Sequence, residues 1–94
     1  MSVGLTARPQ LVRWARLRLD PKTGAHVLLY PEKCLVLNET SAEILQLCTG
    51  RRTVCDIVAR LASAHAGASL STIRSAARGF LNELARRGLL RAAS

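Results

Sequence analysis

The side chains best suited to catalysis or metal binding in this chain are three cysteines and two histidines. Cys48 and Cys55 are seven residues apart and Cys34 is more distant, which matches no common zinc-ligand spacing. His26 lies in a predicted strand and His65 near the end of a predicted helix, so neither position indicates a catalytic triad. We interpret all five residues as structural and expect no metal, no bound cofactor and no enzymatic activity.

The carboxylates and glycines also lack the spacing of a catalytic or nucleotide-binding site. Glu39, Glu43 and Asp56 stand where first helical turns are predicted, and a negative charge is favourable there because of the helix dipole. No Gly-x-Gly or Walker spacing occurs, so the chain has no predicted phosphate-binding loop. These patterns favour a binding protein over an enzyme.

The charge of the chain indicates the kind of partner it would bind. Its 94 residues include 14 Lys and Arg against 6 Asp and Glu, a net charge of +8. Such a surface suits nucleic acid, an acidic peptide or an acidic protein face. The base composition of the genome could also favour Arg over Lys, in which case the charge needs no partner. Hydrophobic residues are 49% and aromatic ones 3% of the chain, so we expect one small domain with an aliphatic core.

The N-terminal residues and the apolar runs predict where the protein acts. Residues 1–14 contain no apolar stretch of a secretory signal, and the long uncharged run at 61–73 is too polar to span a membrane. We therefore expect a cytoplasmic protein with free thiols. Residues 1–12 are predicted to be a flexible N-terminal arm, and residues 13–91 a single domain.

The first half of that domain is predicted to form a three-stranded antiparallel sheet. Apolar and charged residues alternate over 14–20, and a β-favouring run follows at 26–30. Residues 20–24 join them with Pro and Gly in positions typical of a turn. The third strand covers 33–37, with Cys34 and Val36 on one face and Leu35 and Leu37 on the other.

Helical periodicity replaces this alternation after residue 38 and predicts three helices. Thr40 and Glu43 have the spacing of a capping box for the first helix, and Thr53 and Asp56 have it for the second. Ser69 or Ser71 opens the third helix. The order β-β-β-α-α-α predicts an α+β fold similar to a winged helix-turn-helix.

Two kinds of binding are compatible with this fold. A winged helix that binds nucleic acid would use arginines on phosphates, but residues that read bases are scarce. Alternatively, the third strand is an edge of the sheet, and an extended peptide could add to it as a further strand. Arg74 and Arg78 on the third helix would then pair with acidic residues of the peptide.

The order of several short motifs resembles the pyrroloquinoline quinone (PQQ) biosynthesis protein D (PqqD) family. The likeness covers roughly residues 8–91. The motifs that carry it are Arg16-Leu17-Arg18-Leu19-Asp20, His26-Val27-Leu28-Leu29-Tyr30-Pro31-Glu32, Val36-Leu37-Asn38-Glu39-Thr40, Ile44-Leu45-Gln46-Leu47-Cys48, Gly50-Arg51-Arg52-Thr53, Ile57-Val58, and Leu84 with Gly88-Leu89-Leu90.

The resemblance implies a non-catalytic peptide chaperone, the recognition element of a ribosomal peptide modification pathway. Its partners would be the precursor peptide PqqA and the radical S-adenosylmethionine enzyme PqqE, which holds the iron–sulfur clusters and S-adenosylmethionine. A relative serving another modified peptide would share this pattern. By position, the implied peptide-binding residues are Lys33, Cys34, Leu35, Val36, Leu37, Ile73, Arg74, Ala77, Arg78 and Leu81.

The oligomeric state follows less directly from the residues. A free edge strand together with an N-terminal arm permits strand exchange between two copies, so we expect a monomer or a weak homodimer. A membrane partner is not expected, and nucleic acid remains the alternative to the peptide.

Overall fold

The computed structural model describes residues 4–31 and 33–92. Three of its strands form one antiparallel sheet in the order β2-β3-β4, and the other two pair with each other. The predicted α+β fold, with a three-stranded sheet followed by three helices, is confirmed. The elements are β1 (Pro9–Leu11), β2 (Arg16–Leu19), β3 (His26–Tyr30), β4 (Lys33–Leu37), α1 (Glu39–Gln46), α2 (Val54–Ala64), α3 (Leu70–Arg86) and β5 (Leu90–Ala92).

Part of the predicted N-terminal arm, residues 1–12, forms regular structure in the described part of the chain. β1 pairs antiparallel with β5, with Leu11 opposite Leu90. The backbone carbonyls of Leu5 and Ala7 accept hydrogen bonds from the first two N–H groups of α2, at 3.0 and 2.9 Å. A three-residue strand carries no readable periodicity, and its partner lies at the other end of the chain. Residues 1–3 lie outside the described residues.

The hairpin between β2 and β3 is closed by the predicted turn. The Asp20 carboxylate accepts hydrogen bonds from the Lys22 backbone N–H at 2.9 Å and from the Thr23 hydroxyl at 3.1 Å. Gly24 has a φ of +72°, a conformation that side chains with a Cβ rarely adopt. These local contacts hold the two strands in register.

The first helix begins differently from the prediction. The Asn38 side chain accepts a hydrogen bond from the Ser41 backbone N–H at 2.8 Å, which makes Asn38 the N-cap of α1. The predicted capping box of Thr40 and Glu43 is therefore wrong. The Glu43 carboxylate instead lies 2.8 Å from Nε2 of His65, at the end of α2. This tertiary contact joins α1 to α2 and takes the carboxylate away from the helix start.

The other two helices begin as predicted. The Thr53 hydroxyl accepts from the Asp56 N–H at 3.1 Å, and the Asp56 carboxylate accepts from the Thr53 N–H at 3.2 Å, a reciprocal capping box. Ser69 caps α3 through the Thr72 N–H at 3.1 Å. Each helix start therefore satisfies backbone donors that would otherwise lack a partner.

The core is aliphatic and lies between the helices and one face of the sheet. Leu28 in the central strand is fully buried, as are Ile44 of α1, Ile57 of α2 and Leu81 of α3. Among the described residues no polar or charged side chain is buried. No helix in this part of the chain is long and apolar enough to cross a membrane.

The three cysteines are free thiols in different surroundings. Cys48 is buried in the core and its thiol donates to the Ile44 carbonyl at 3.2 Å. Burial raises the pKa of the Cys48 thiol to about 12, because the thiolate is poorly solvated there. Cys48 is thus an inert core residue, whereas Cys34 and Cys55 are exposed.

The cap of α1 gives a test of this local structure. Asn38→Ala removes the side-chain acceptor and should lower the free energy of unfolding by about 1 kcal/mol. Thr40→Ala is the matched control at the position where the sequence predicted the cap. It should change the free energy of unfolding by less than about 0.5 kcal/mol. Urea denaturation followed by circular dichroism measures both values. A larger loss for Thr40→Ala than for Asn38→Ala would contradict the Asn38 cap.

Candidate functional site

One hydrogen bond at the first hairpin fixes the hydrogen-bonding phase of the three-stranded sheet. By this phase we mean which residues direct their N–H and C=O groups to which neighbouring strand. The Asp20 N–H donates to the Ala25 carbonyl at 2.8 Å. Hydrogen-bonded and non-hydrogen-bonded pairs alternate along an antiparallel ladder, so the backbone groups of Val27 and Leu29 also point to β2. The backbone groups of Leu28, between them, must point to β4.

β4 is an edge strand, and this phase decides which of its backbone groups are unpaired. Leu28 is opposite Leu35, so the N–H and C=O of Leu35 bond to β3. Cys34 and Val36, on either side of Leu35, therefore direct their N–H and C=O groups away from the sheet. Within the described residues no strand pairs with this edge. The edge presents two donors and two acceptors to an incoming strand.

The side chains of β4 alternate between the two faces of the sheet. Leu37 is buried and Leu35 half-buried on the side of the helices, where Lys33 also points. Cys34 and Val36 are exposed on the opposite side, Val36 at 69%. Cys34 and Val36 therefore lie on the face of the sheet away from the helices, because the core occupies the face of Leu35 and Leu37.

One contact shows which side of α3 borders the sheet. The Arg87 Nη1 donates to the Tyr30 hydroxyl at 3.4 Å, at the end of β3 next to Lys33. At 3.6 residues per turn, Phe80 and Ile73 lie about 20° and 40° around the helix axis from Arg87. Both side chains are half-buried and pack against the core. Leu35 of β4 is partly buried against the same core, and we call the surface bordered by Leu35, Ile73 and Phe80 the groove.

Ala77 and Leu81, two of the predicted peptide-binding residues, lie beneath this groove. Both are 0% exposed and belong to the core. Their side chains therefore cannot touch a bound peptide in this structure. Helical periodicity places these two residues on the side of α3 that faces the core, and the resulting burial makes them inaccessible to a ligand.

Arg74 and Arg78 lie on another side of α3. They precede Arg87 by thirteen and nine residues, which places them about 140° and 180° around the helix axis from it. Arg78 is half-buried, and its Nε is buried with no hydrogen-bond partner among the described atoms. A shallow depression there is lined by Ser71, Ser75 and Asn82 together with the two arginines. The structure does not bring these arginines into the groove.

The end of the groove near Lys33 carries an ionic cluster that the sequence analysis missed. Glu83 accepts a hydrogen bond from Arg86 at 2.7 Å and from Arg87 Nε at 3.4 Å. The Arg86 hydrogen bond holds the pKa of the Glu83 carboxyl below its usual range. The Tyr30 hydroxyl and then Glu83 raise the pKa of Arg87. Arg87 is charged at any physiological pH, and the contacts with Glu83 and Tyr30 hold its guanidinium group at this end of the groove.

The residues missed by the sequence analysis carried recognisable signals. Phe80 follows Ile73 by seven residues, the spacing of one helix face, and Tyr30 is the hairpin partner of Lys33. The helical spacing thus groups Phe80 with Ile73, and the short hairpin places Tyr30 beside Lys33. Arg87 follows the last residue of α3, and only the tertiary contact reveals its role.

The structure offers no arrangement typical of metal chemistry in the part of the chain that it describes. No three His, Cys, Asp or Glu side chains come together there in a group that could hold a metal ion. The histidines have other contacts: His65 with Glu43 at 2.8 Å, and His26 Nε2 with Gln46 at 3.5 Å.

Comparisons with known proteins agree in sequence and in fold. Residues 25–90 match the family model of coenzyme PQQ synthesis protein D. The "PqqA binding protein" of Bradyrhizobium diazoefficiens is 38% identical over 90 residues, covering 96% of this chain and 86% of that protein. The protein of the same name from Rhodopseudomonas palustris strain CGA009 is 39% identical over 90 residues, covering 96% and 87%.

A solved structure shows the same fold. It is the solution NMR structure of the PqqD truncation of Methylobacterium extorquens PqqCD, described as a functional, stand-alone recognition element for ribosomally synthesised and post-translationally modified peptides. The similarity has a TM-score of 0.81 and 31% identity, and it covers 96% of this chain and 95% of that one. The chain therefore belongs to the coenzyme PQQ synthesis protein D (PqqD) family, a membership that confirms both the resemblance and the prediction that it is not an enzyme.

Proposed function

We propose that this protein binds the precursor peptide PqqA in PQQ biosynthesis and presents it to the radical S-adenosylmethionine enzyme PqqE. The observation that carries the proposal is the open edge of β4, where the backbone groups of Cys34 and Val36 have no partner strand among residues 4–31 and 33–92. Relatives named PqqA binding protein support the choice of peptide. The peptide would add to β4 as a fourth strand.

Main-chain pairing would supply an affinity that depends little on the peptide sequence. Cys34 and Val36 each offer one N–H and one C=O, and a typical hydrogen bond contributes a net 0.5–1.5 kcal/mol, to order of magnitude. Because β4 is already ordered before the peptide binds, the conformational entropy lost on binding is that of the peptide alone. The edge thus requires an extended conformation of the peptide, whatever side chains the peptide carries.

The groove beside the edge would supply the sequence preference. Every second side chain of an added strand points to the helix side of the sheet, towards Leu35, Ile73 and Phe80. These side chains favour apolar residues of the peptide. Lys33 and Arg87 lie at one end of the groove and favour an acidic residue there.

The domain would act by holding its cargo rather than by chemistry. A peptide captured on β4 and a bound enzyme form one complex, which raises the effective concentration of the reacting residues near the enzyme. The iron–sulfur clusters and S-adenosylmethionine would belong to PqqE. We place this complex in the cytoplasm, with the PqqD-like chain as a monomer or a weak homodimer.

Arg74 and Arg78 have a place in this proposal outside the paired strand. Their side of α3 is turned away from the groove, so a peptide confined to the groove does not reach them. An acidic segment that continues past the paired residues would cross α3 and meet both guanidinium groups. We therefore assign them to flanking acidic residues of the precursor.

Amide hydrogen exchange tests the strand addition directly. With saturating PqqA, the N–H groups of Cys34 and Val36 should exchange at least about tenfold more slowly, because they become hydrogen-bonded. The N–H groups of Leu17 and Leu19 are matched controls, since the same phase points them to the open edge of β2. NMR resolves each amide. Protection of Leu17 and Leu19 instead would move the peptide to β2, and binding without protection at either edge would exclude strand addition.

A proline scan of the two edges tests the same contact through affinity. Val36→Pro removes one outward donor and adds a ring at the open edge, where proline is tolerated by the fold. We expect PqqA affinity, measured by calorimetry, to fall at least about tenfold. Leu19→Pro makes the same change on the opposite edge and should leave the affinity unchanged. Equal affinity of a folded Val36→Pro variant and the wild type would count against docking at β4.

The role of the two arginines is measured by charge reversal. Arg74→Glu with Arg78→Glu should weaken the binding of full-length PqqA by roughly 1–3 kcal/mol, because charge-assisted contacts are replaced by repulsion. A synthetic peptide limited to the paired segment should bind as before. Arg51→Glu with Arg52→Glu controls for the change in net charge. Unaltered affinity for full-length PqqA would contradict the proposed contact of the two arginines with the peptide, but it would not contradict peptide binding in the groove.

A further inference from the structure

The face of the sheet that points away from the helices carries an unusual set of side chains. Pairing aligns them in two rows across the strands, one of Arg16, Leu29 and Cys34 and one of Arg18, Val27 and Val36. We call these six residues the outer face. A sheet that meets water on one side normally places polar residues there, whereas β3 and β4 place apolar residues and a cysteine.

The outer face is divided between an apolar part and a charged part. Val36 is 69% exposed, Leu29 is 39% exposed and Cys34 is exposed as well. Arg16 and Arg18 are exposed on β2, at the far side from the open edge of β4. None of its six residues is a carboxylate. Exposed apolar residues grouped beside charged ones are typical of a protein interaction surface.

The apolar part lies directly beside the edge where the peptide is proposed to dock. In an added strand, the residues opposite Cys34 and Val36 direct their side chains to the outer face, because paired residues share a face. The bound peptide would therefore widen the apolar part by one strand. The complete surface would contain residues of both molecules.

We propose that the outer face and the docked peptide form one composite docking surface for a protein partner. The partner's own surface would be apolar at its centre, against Leu29 and Val36, with carboxylates at the rim against Arg16 and Arg18. This inference rests on the proposed strand addition to β4. It assigns the outer face a task that the peptide groove, on the other side of the sheet, does not perform.

The chemistry of the outer face argues against two other occupants. A second copy of this chain carries the same net charge of +8, and its outer face offers no carboxylate to meet Arg16 and Arg18. Nucleic acid would meet the arginines, but an exposed face of Leu, Val and Cys offers no aromatic ring for base stacking. A protein with an acid-rimmed apolar patch satisfies both parts of the face.

A composite surface couples the two binding events. Because part of the partner's contact area belongs to the peptide, the partner binds the loaded domain more tightly than the empty one. Linkage requires the partner to tighten peptide binding by the same factor. The domain would thereby recruit its partner preferentially when cargo is present.

Calorimetry with PqqE as the probe tests this coupling. The dissociation constant of PqqE and the domain is measured with and without saturating PqqA. We expect PqqE to bind the loaded domain on the order of tenfold more tightly. In Leu29→Thr, and separately in Arg16→Glu with Arg18→Glu, we expect PqqE binding to weaken about tenfold and the gain from PqqA to shrink, with PqqA affinity unchanged. Leu70→Ser and Arg51→Glu with Arg52→Glu are the matched controls on other surfaces.

The outcomes separate this inference from the proposed function. PqqA binding to every variant together with unaltered PqqE binding would overturn the composite surface and leave the peptide site standing. Failure of wild-type PqqA to protect the Cys34 and Val36 amides would instead overturn the strand addition. Self-association of the wild type that Leu29→Thr abolishes in sedimentation would assign the face to a second copy and overturn the partner. Arg16 and Arg18 are both exposed, so the variant Arg16→Glu with Arg18→Glu still tests the composite surface if Leu29→Thr does not fold.

Discussion

The shared aliphatic core between the three helices and one face of the small sheet is the interaction on which the rest of this structure depends. Ala77, Leu81 and Leu84 of α3 are all 0% exposed, and they belong to the same core cluster as Leu28 of the central strand. A sheet of three strands has two faces and two edges, and the helices cover one face only. The apolar area that this contact removes from water stabilises the domain and leaves an edge and a face for partners.

The two ends of the chain complete the fold through a pair of strands that is separate from the three-stranded sheet. β1 pairs with β5, and the carbonyls of Leu5 and Ala7 satisfy donors at the start of α2. These bonds join the N-terminal residues, the second helix and the last strand, none of which contributes to the groove. These closing contacts therefore do not involve the backbone groups at the β4 edge.

Family membership and geometry support each other in the assignment of function. The PqqD family match covers residues 25–90, which include the edge strand and all three helices. The backbone groups of Cys34 and Val36, which have no partner strand in the described part of the chain, supply a physical basis for the peptide recognition that we propose. The outer face adds a reason why recognition of the peptide and recruitment of a partner would occur together.

The sequence by itself determined the elements and their order, because these depend on local patterns. Alternation predicted the strands, the spacing of Thr53 and Asp56 predicted the start of α2, and the lack of catalytic spacing predicted a binding protein. The order of the strands predicted that the third is an edge of the sheet, and the resemblance of the same residues to PqqD identified the family. Each of these signals lies within a few residues or in the order of motifs.

Only the tertiary structure decided which groups on those elements are available. The pairing of β1 with β5 joins opposite ends of the chain, and no local pattern encodes it. The free backbone groups of Cys34 and Val36 depend on the hydrogen-bonding phase set at Asp20, and a shift of one residue would reverse every face. Likewise, the contact of Arg87 with Tyr30 decided that Phe80 borders the groove and Arg78 does not. Periodicity predicts which residues share a face, but what that face meets is set by long-range packing.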